Sequence, residues 1–178
     1  MRKTILVPLM VLAVSAFVVA GMSRAGMHKG SVNVKLSAIP DVKTDATGKA
    51  TFALSKDGKA IHYRLHIYKI ENVTMSHIHA VGEGGKRGAV ITWLYPSTGG
   101  PPSLKEGKFS GSLAEGDITP EKFAGDWKGK TVKDLFMGIA HGKAGVAVHT
   151  KQNPKTELWG VYKGAKHAEK EHGGKSHY

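Results

Sequence analysis

The chain has 178 residues, a formal charge of +12 from 26 Lys+Arg against 14 Asp+Glu, and no cysteine. That length suits one domain, and 40% hydrophobic with 22% charged residues excludes a wholly disordered chain. Without cysteine there are no disulfides, thiolate zinc sites, iron–sulfur clusters or thiol catalysis, so the ten histidines become the main candidates for site chemistry.

The N-terminus reads as an export signal. Arg2 and Lys3 form a positive start, residues 5–20 are an uncharged apolar run, and Gly21–Met22–Ser23–Arg24–Ala25 is a polar segment with small residues suited to cleavage. The expected signal peptide is 1–25, with Ala20 as the competing cleavage point. The apolar run is short for a span of about 20 residues, so no stable membrane span is expected after cleavage. The mature chain is expected to be exported, periplasmic or extracellular. It stays basic after losing Arg2, Lys3 and Arg24, which favours an anionic envelope ligand such as lipid head groups or polysaccharide. Lys and Arg are spread without an aromatic-interleaved basic motif, so nucleic acid is not an expected partner.

After a linker at 26–30, residues 31–38 alternate, with Val32, Val34 and Leu36 on one side. A second strand at 50–55 and the Lys56–Asp57–Gly58–Lys59 turn lead into a third at 60–67, with Ile61, Tyr63, Leu65 and Ile67 inward. Further strands are expected at 73–81, 89–95, 107–113, 145–151 and 157–163, separated by glycine- and proline-rich loops at 82–88 and 96–103. Thr119–Pro120–Glu121 signals a helix start. The one longer helix is expected at 132–140, capped by Thr131 with Asp134 three residues on and stopped by Gly142. About eight strands predict an all-β fold, an antiparallel Greek-key sandwich or barrel with one short helix before the penultimate strand. The Lys/His/Gly-rich tail at 164–178 is expected to be disordered.

His77 and His79 are two apart on a strand, so they share a face about 7 Å apart and can converge on one metal ion. Met75 precedes them on that face, and a thioether beside two imidazoles suits copper better than zinc. His149, on a later strand, completes the candidate set. The structural alternative is that each imidazole satisfies a backbone carbonyl. His141 is a further possible ligand, although its place at the helix end suits a protonated imidazole on the macrodipole. His62 and His66 flank Arg64, which repels a cation, so they read as surface. Cleavage after Ala25 would free Gly26–Met27–His28, whose amine, two amides and imidazole make a square-planar Cu(II) set through His28. The tail His167, His172 and His177 suit loose metal binding or simple solvation.

With Thr74–Met75–Ser76–His77–Ile78–His79 in hand, the chain resembles the CHRD (chordin) domain family. The matching pieces run in order from the opening strands through Asn72–Val73–Thr74, the glycine loop and the run at 89–94. Leu113 to Gly116, Asp117–Ile118, Phe123, residues 135–142, Val148–His149–Thr150, Asn153–Pro154, Glu157–Leu158 and Gly160 follow. The chain departs from the family pattern at Lys155–Thr156, where a glycine-rich turn is usual, and at Trp159, where Arg is frequent. The resemblance implies a domain of roughly 31–163, seen in secreted growth-factor-binding proteins and in stand-alone exported bacterial proteins. It also implies a distant likeness to the immunoglobulin-like barrel of copper/zinc superoxide dismutases. On that likeness His77 and His79 resemble the enzyme's H-x-H copper pair and His149 its later strand histidine. No histidine lies between His79 and His141, so the bridging and zinc ligands have no counterpart, and the enzyme's disulfide is impossible. No nucleophile–base pair or paired carboxylates stand out, so an enzyme is not expected. Two readings follow: a metal-free binding module for a protein or envelope polymer, using Trp93, Tyr95 and Trp159, or a periplasmic copper-handling protein using His77, His79 and His149.

Overall fold

A computed structural model describes residues 30–100 and 102–164. The expected signal peptide, His28 and the tail histidines lie outside the described residues.

The strands are β1 (Val32–Ala38), β2 (Thr47–Leu54), β3 (Ile61–Val81), β4 (Arg87–Tyr95), β5 (Lys105–Ile118), β6 (Ala144–Thr150) and β7 (Leu158–Val161). Antiparallel pairing runs β1–β2, β2–β3, β3–β6, β6–β7 and β7–β1, which closes a five-stranded barrel. β5 pairs with the first part of β3 and β4 with its last part, so both extend from this one long strand. The all-β expectation holds. Period-2 patterning accounts for the inside of the barrel: Val32, Val34 and Leu36 of β1 are buried, as are Ile61, Tyr63, Leu65 and Ile67 of β3. Phe52, Ile78, Leu94, Ile118, Val146, Val148 and Leu158 join the same core.

The count is seven strands rather than about eight, because the two segments expected at 60–67 and 73–81 form a single β3. The sequence hides this because the buried residues Ile67, Ile70 and Val73 are three apart, which breaks the two-residue period. The chain restores the phase with left-handed residues at Lys69 (φ 52°) and Asn72 (φ 53°), at the register shifts against β5. Both are held from β5, Lys69 N–H donating to Ser110 Oγ (2.8 Å) and Asn72 Oδ1 accepting from Gly107 N–H (2.8 Å).

The helix α1 spans Val132–Ala140, as expected, and buries Val132, Leu135 and Ile139. Its capping box is complete: Thr131 Oγ1 accepts from Asp134 N–H (3.2 Å), and Asp134 Oδ2 accepts from Thr131 N–H (2.8 Å). Thr131→Ala is expected to lower stability by about 1 kcal/mol, read from the midpoint of urea unfolding. By contrast, Thr119–Pro120–Glu121 starts only one tight 3-10 turn, Pro120–Lys122. No helix among the described residues is long and apolar enough to cross a membrane.

Where β7 meets β1 the backbones leave no room for a side chain. A Cβ on Gly160 would lie 2.1 Å from the Lys35 carbonyl oxygen and 2.6 Å from Leu36 Cδ2.

Candidate metal centre

The register of β3 against β6 sets Met75 opposite His149 and His77 opposite Ala147. Directly opposed residues share a face, so Met75, His77, His79, Ala147 and His149 stand together. Ile78, Val146 and Val148 between them turn into the barrel core. The pattern Val146–Ala147–Val148–His149 therefore delivers the third histidine from a strand some seventy residues away in sequence.

The three rings are buried, with His77 4%, His79 6% and His149 5% exposed. Their centroids are 5.5 Å (His77–His79), 5.1 Å (His77–His149) and 6.3 Å (His79–His149) apart. One nitrogen from each ring lies within 4.8 Å of the others. His77 Nδ1 and His149 Nε2 are separated by 3.3 Å. Two nitrogens at about 2.0–2.1 Å from a tetrahedral ion stand about 3.3–3.4 Å apart, so this pair already has the edge length a metal requires.

Backbone carbonyls set the tautomers. His79 Nδ1–H donates to the Gly88 carbonyl (2.9 Å) and His149 Nδ1–H to the Pro154 carbonyl (3.0 Å). Each ring then presents a bare Nε2 lone pair, the arrangement usual around metal-ligating histidines. The Nε2 atoms of His77 and His79 are buried without a hydrogen-bond partner. On His79 that atom is a lone pair that a cation can satisfy, whereas on His77 Nε2 carries the ring proton whenever Nδ1 faces the ion beside His149 Nε2.

Electrostatics keep the site neutral. Burial pushes the His77 imidazole down to about 3, reinforced by His149, His79 and Arg87. Burial pushes His79 down to about 4 against the opposing pull of the Gly88 carbonyl, with Arg87 and His149 adding to the decrease. His149 is lowered for the same reason, partly offset by Pro154. At pH 7 all three are uncharged, the state in which imidazole binds metal.

Two indoles wall the cluster. Trp93, opposite His77 on β4, meets that ring edge-on at 4.1 Å between centroids. Trp159 on β7 lies 6.1 Å from His79. Its ring covers Gly145, where a Cβ would come within 2.7 Å of Trp159 Cη2. These tryptophans and Tyr95 are half-buried.

The structure thus unites His77, His79 and His149, with half-buried Met75 on the same face. His141, the further possible ligand, is exposed at the C-cap of α1 and lies outside this group of three. The physical reason is that α1 ends one turn before β6 begins, outside the sheet face. His62 is exposed and contacts the Asp117 carboxylate, and His66 packs on Tyr68 at 4.8 Å, both away from the cluster. Sequence reasoning missed the Gly88 and Pro154 carbonyls, which are backbone atoms and carry no residue signature. It also gave Glu157 no role, although that carboxylate is buried and fully engaged beside the Pro154 turn.

Comparison with curated proteins and with solved structures returns no match. The family model of the CHRD domain matches residues 30–161, nearly all of the barrel and its two added strands, and the chain belongs to the CHRD domain family.

Proposed function

We propose that this CHRD domain is an exported, non-catalytic module that binds one copper ion through His77, His79 and His149. One observation carries the reading: three buried, neutral imidazoles offer nitrogens within 4.8 Å of one another, two of them aimed by backbone carbonyls. The donor set contains no carboxylate, and Met75 adds a soft sulfur on the same face, which favours copper over harder cations. Three protein ligands leave a fourth position open, as a site that accepts and passes on an ion requires.

The test is the metal content of the mature chain after copper loading and desalting. About one copper per chain beyond that of the His77→Ala/His79→Ala/His149→Ala variant is expected, since the comparison cancels copper held by either terminus. Copper should also quench the tryptophan fluorescence, because Trp93 and Trp159 adjoin the ligands. Equal copper in parent and variant overturns the assignment. The CHRD family and the positive charge that remains without Arg2, Lys3 and Arg24 support a second reading, a module that holds an anionic envelope polymer or a protein. Retention on an acidic polysaccharide, lost as salt rises, would then be the property to measure.

A further inference from the structure

We infer that Glu157 is a positioning residue for this metal centre, acting through Asn153 and the turn that aims His149; the inference rests on the copper-binding reading above. Glu157 is 2% exposed at the end of the β6–β7 turn. Its carboxylate accepts three hydrogen bonds, all from neutral donors. Oε1 accepts from Thr44 Oγ1 (2.9 Å), and Oε2 accepts from Thr150 Oγ1 (2.6 Å) and Asn153 Nδ2 (2.8 Å). The Thr150 hydroxyl in turn accepts from Asn153 N–H (3.1 Å), so its rotor is fixed from both sides.

The backbone at both ends of this turn is pinned as well. Glu157 N–H donates to the Val148 carbonyl (2.8 Å), and Ile39 N–H donates to the Glu157 carbonyl (3.1 Å). The residue after Asn153 is Pro154, whose carbonyl accepts from His149 Nδ1–H. Glu157 therefore does not touch the metal ligands. It holds Asn153, Asn153 places Pro154, and Pro154 decides which nitrogen of His149 faces the cluster.

Oε2 accepts from both Thr150 and Asn153, and these two bonds tie the turn to the carboxylate. A glutamine can keep both, with its amide oxygen at the Oε2 position and its N–H₂ donated to the Thr44 hydroxyl, whereas an alanine keeps neither. Thr44 serves as an internal control, because it bonds the other oxygen and lies in the β1–β2 connection, away from the turn.

The test measures Cu(I) affinity by chelator competition on the metal-free mature chain, together with the Cu(II) electron paramagnetic resonance spectrum. Asn153→Ala and Glu157→Ala are each expected to weaken Cu(I) binding 10–100-fold and to alter the nitrogen hyperfine pattern, the usual scale for residues that orient ligands. Thr44→Val is expected to stay within about twofold of the parent with an unchanged spectrum. Should Glu157→Ala fail to fold, Asn153→Ala carries the test. Folded Asn153→Ala protein with the parent's affinity and spectrum overturns the positioning role. A parent that binds no copper is a separate result, which removes the metal reading itself.

Discussion

Gly160→Ala is expected to destabilise the domain by about 3 kcal/mol or more, lowering the melting temperature by on the order of 10 °C. The added methyl would stand 2.1 Å from the Lys35 carbonyl oxygen and 3.0 Å from its carbonyl carbon. These are backbone atoms, so no side chain can rotate away, and β7 itself must shift. β7 has four residues and its register with β1 rests on Ser37↔Trp159 and Ala38↔Leu158. A displacement there opens the barrel and moves Trp159, the wall beside His79. The measurement is a circular dichroism melt of the metal-free protein. A melting temperature equal to the parent's would show that β1 and β7 do not approach in this way.

Acid should act as strongly on the metal-free domain. In the unfolded chain a histidine titrates near 6.5, whereas in the fold His77 is held at about 3 and His79 at about 4. Between those values the unfolded state binds more protons, so stability is complete above about pH 6.5 and falls as the pH falls. Each histidine withdraws about 1.4 kcal/mol per pH unit in its window, from 6.5 toward 3 for His77 and toward 4 for His79. His149 moves in the same direction. Arg87 lowers all three and neighbouring imidazoles add to the fall at His77 and His79, while the Gly88 carbonyl opposes it at His79 and the Pro154 carbonyl at His149. By pH 4 the two together withdraw about 6–7 kcal/mol, so against a total stability of about 5–15 kcal/mol the metal-free protein is expected to lose most or all of its margin there. The His77→Ala/His79→Ala/His149→Ala variant should show a much flatter profile in urea titrations at pH 7, 6, 5 and 4.5. Parallel profiles would contradict the assignment of the acid sensitivity to these three rings. Bound copper, which holds the imidazoles deprotonated, should shift the loss to lower pH.

Much of this architecture was legible in the residues. β1 shows a clean two-residue alternation, and α1 carries both its cap and its stop, so their bounds follow from local chemistry. The continuity of β3 was not legible, because its phase is repaired by backbone conformations at Lys69 and Asn72 that no alternation pattern displays. His77 and His79 are readable as a pair from their spacing alone. His149 is readable only as a strand histidine, since the β3–β6 register that brings it to them is a tertiary fact. Glu157 looks like an ordinary charge before a strand, and only its three converging donors show otherwise.

The 72-residue separation between His77 and His149 has a kinetic consequence. In the unfolded chain, bringing these positions together carries the entropy cost of closing a long loop, and only the local His77–x–His79 chelate is available. The complete three-nitrogen site comes into being only when β3 and β6 pair, a long-range step of the kind that slows folding. On the copper-binding reading proposed above, capture by all three nitrogens would therefore follow the pairing of these strands. By the same reasoning, separation of β6 from β3 would remove one of the three ligands at a stroke.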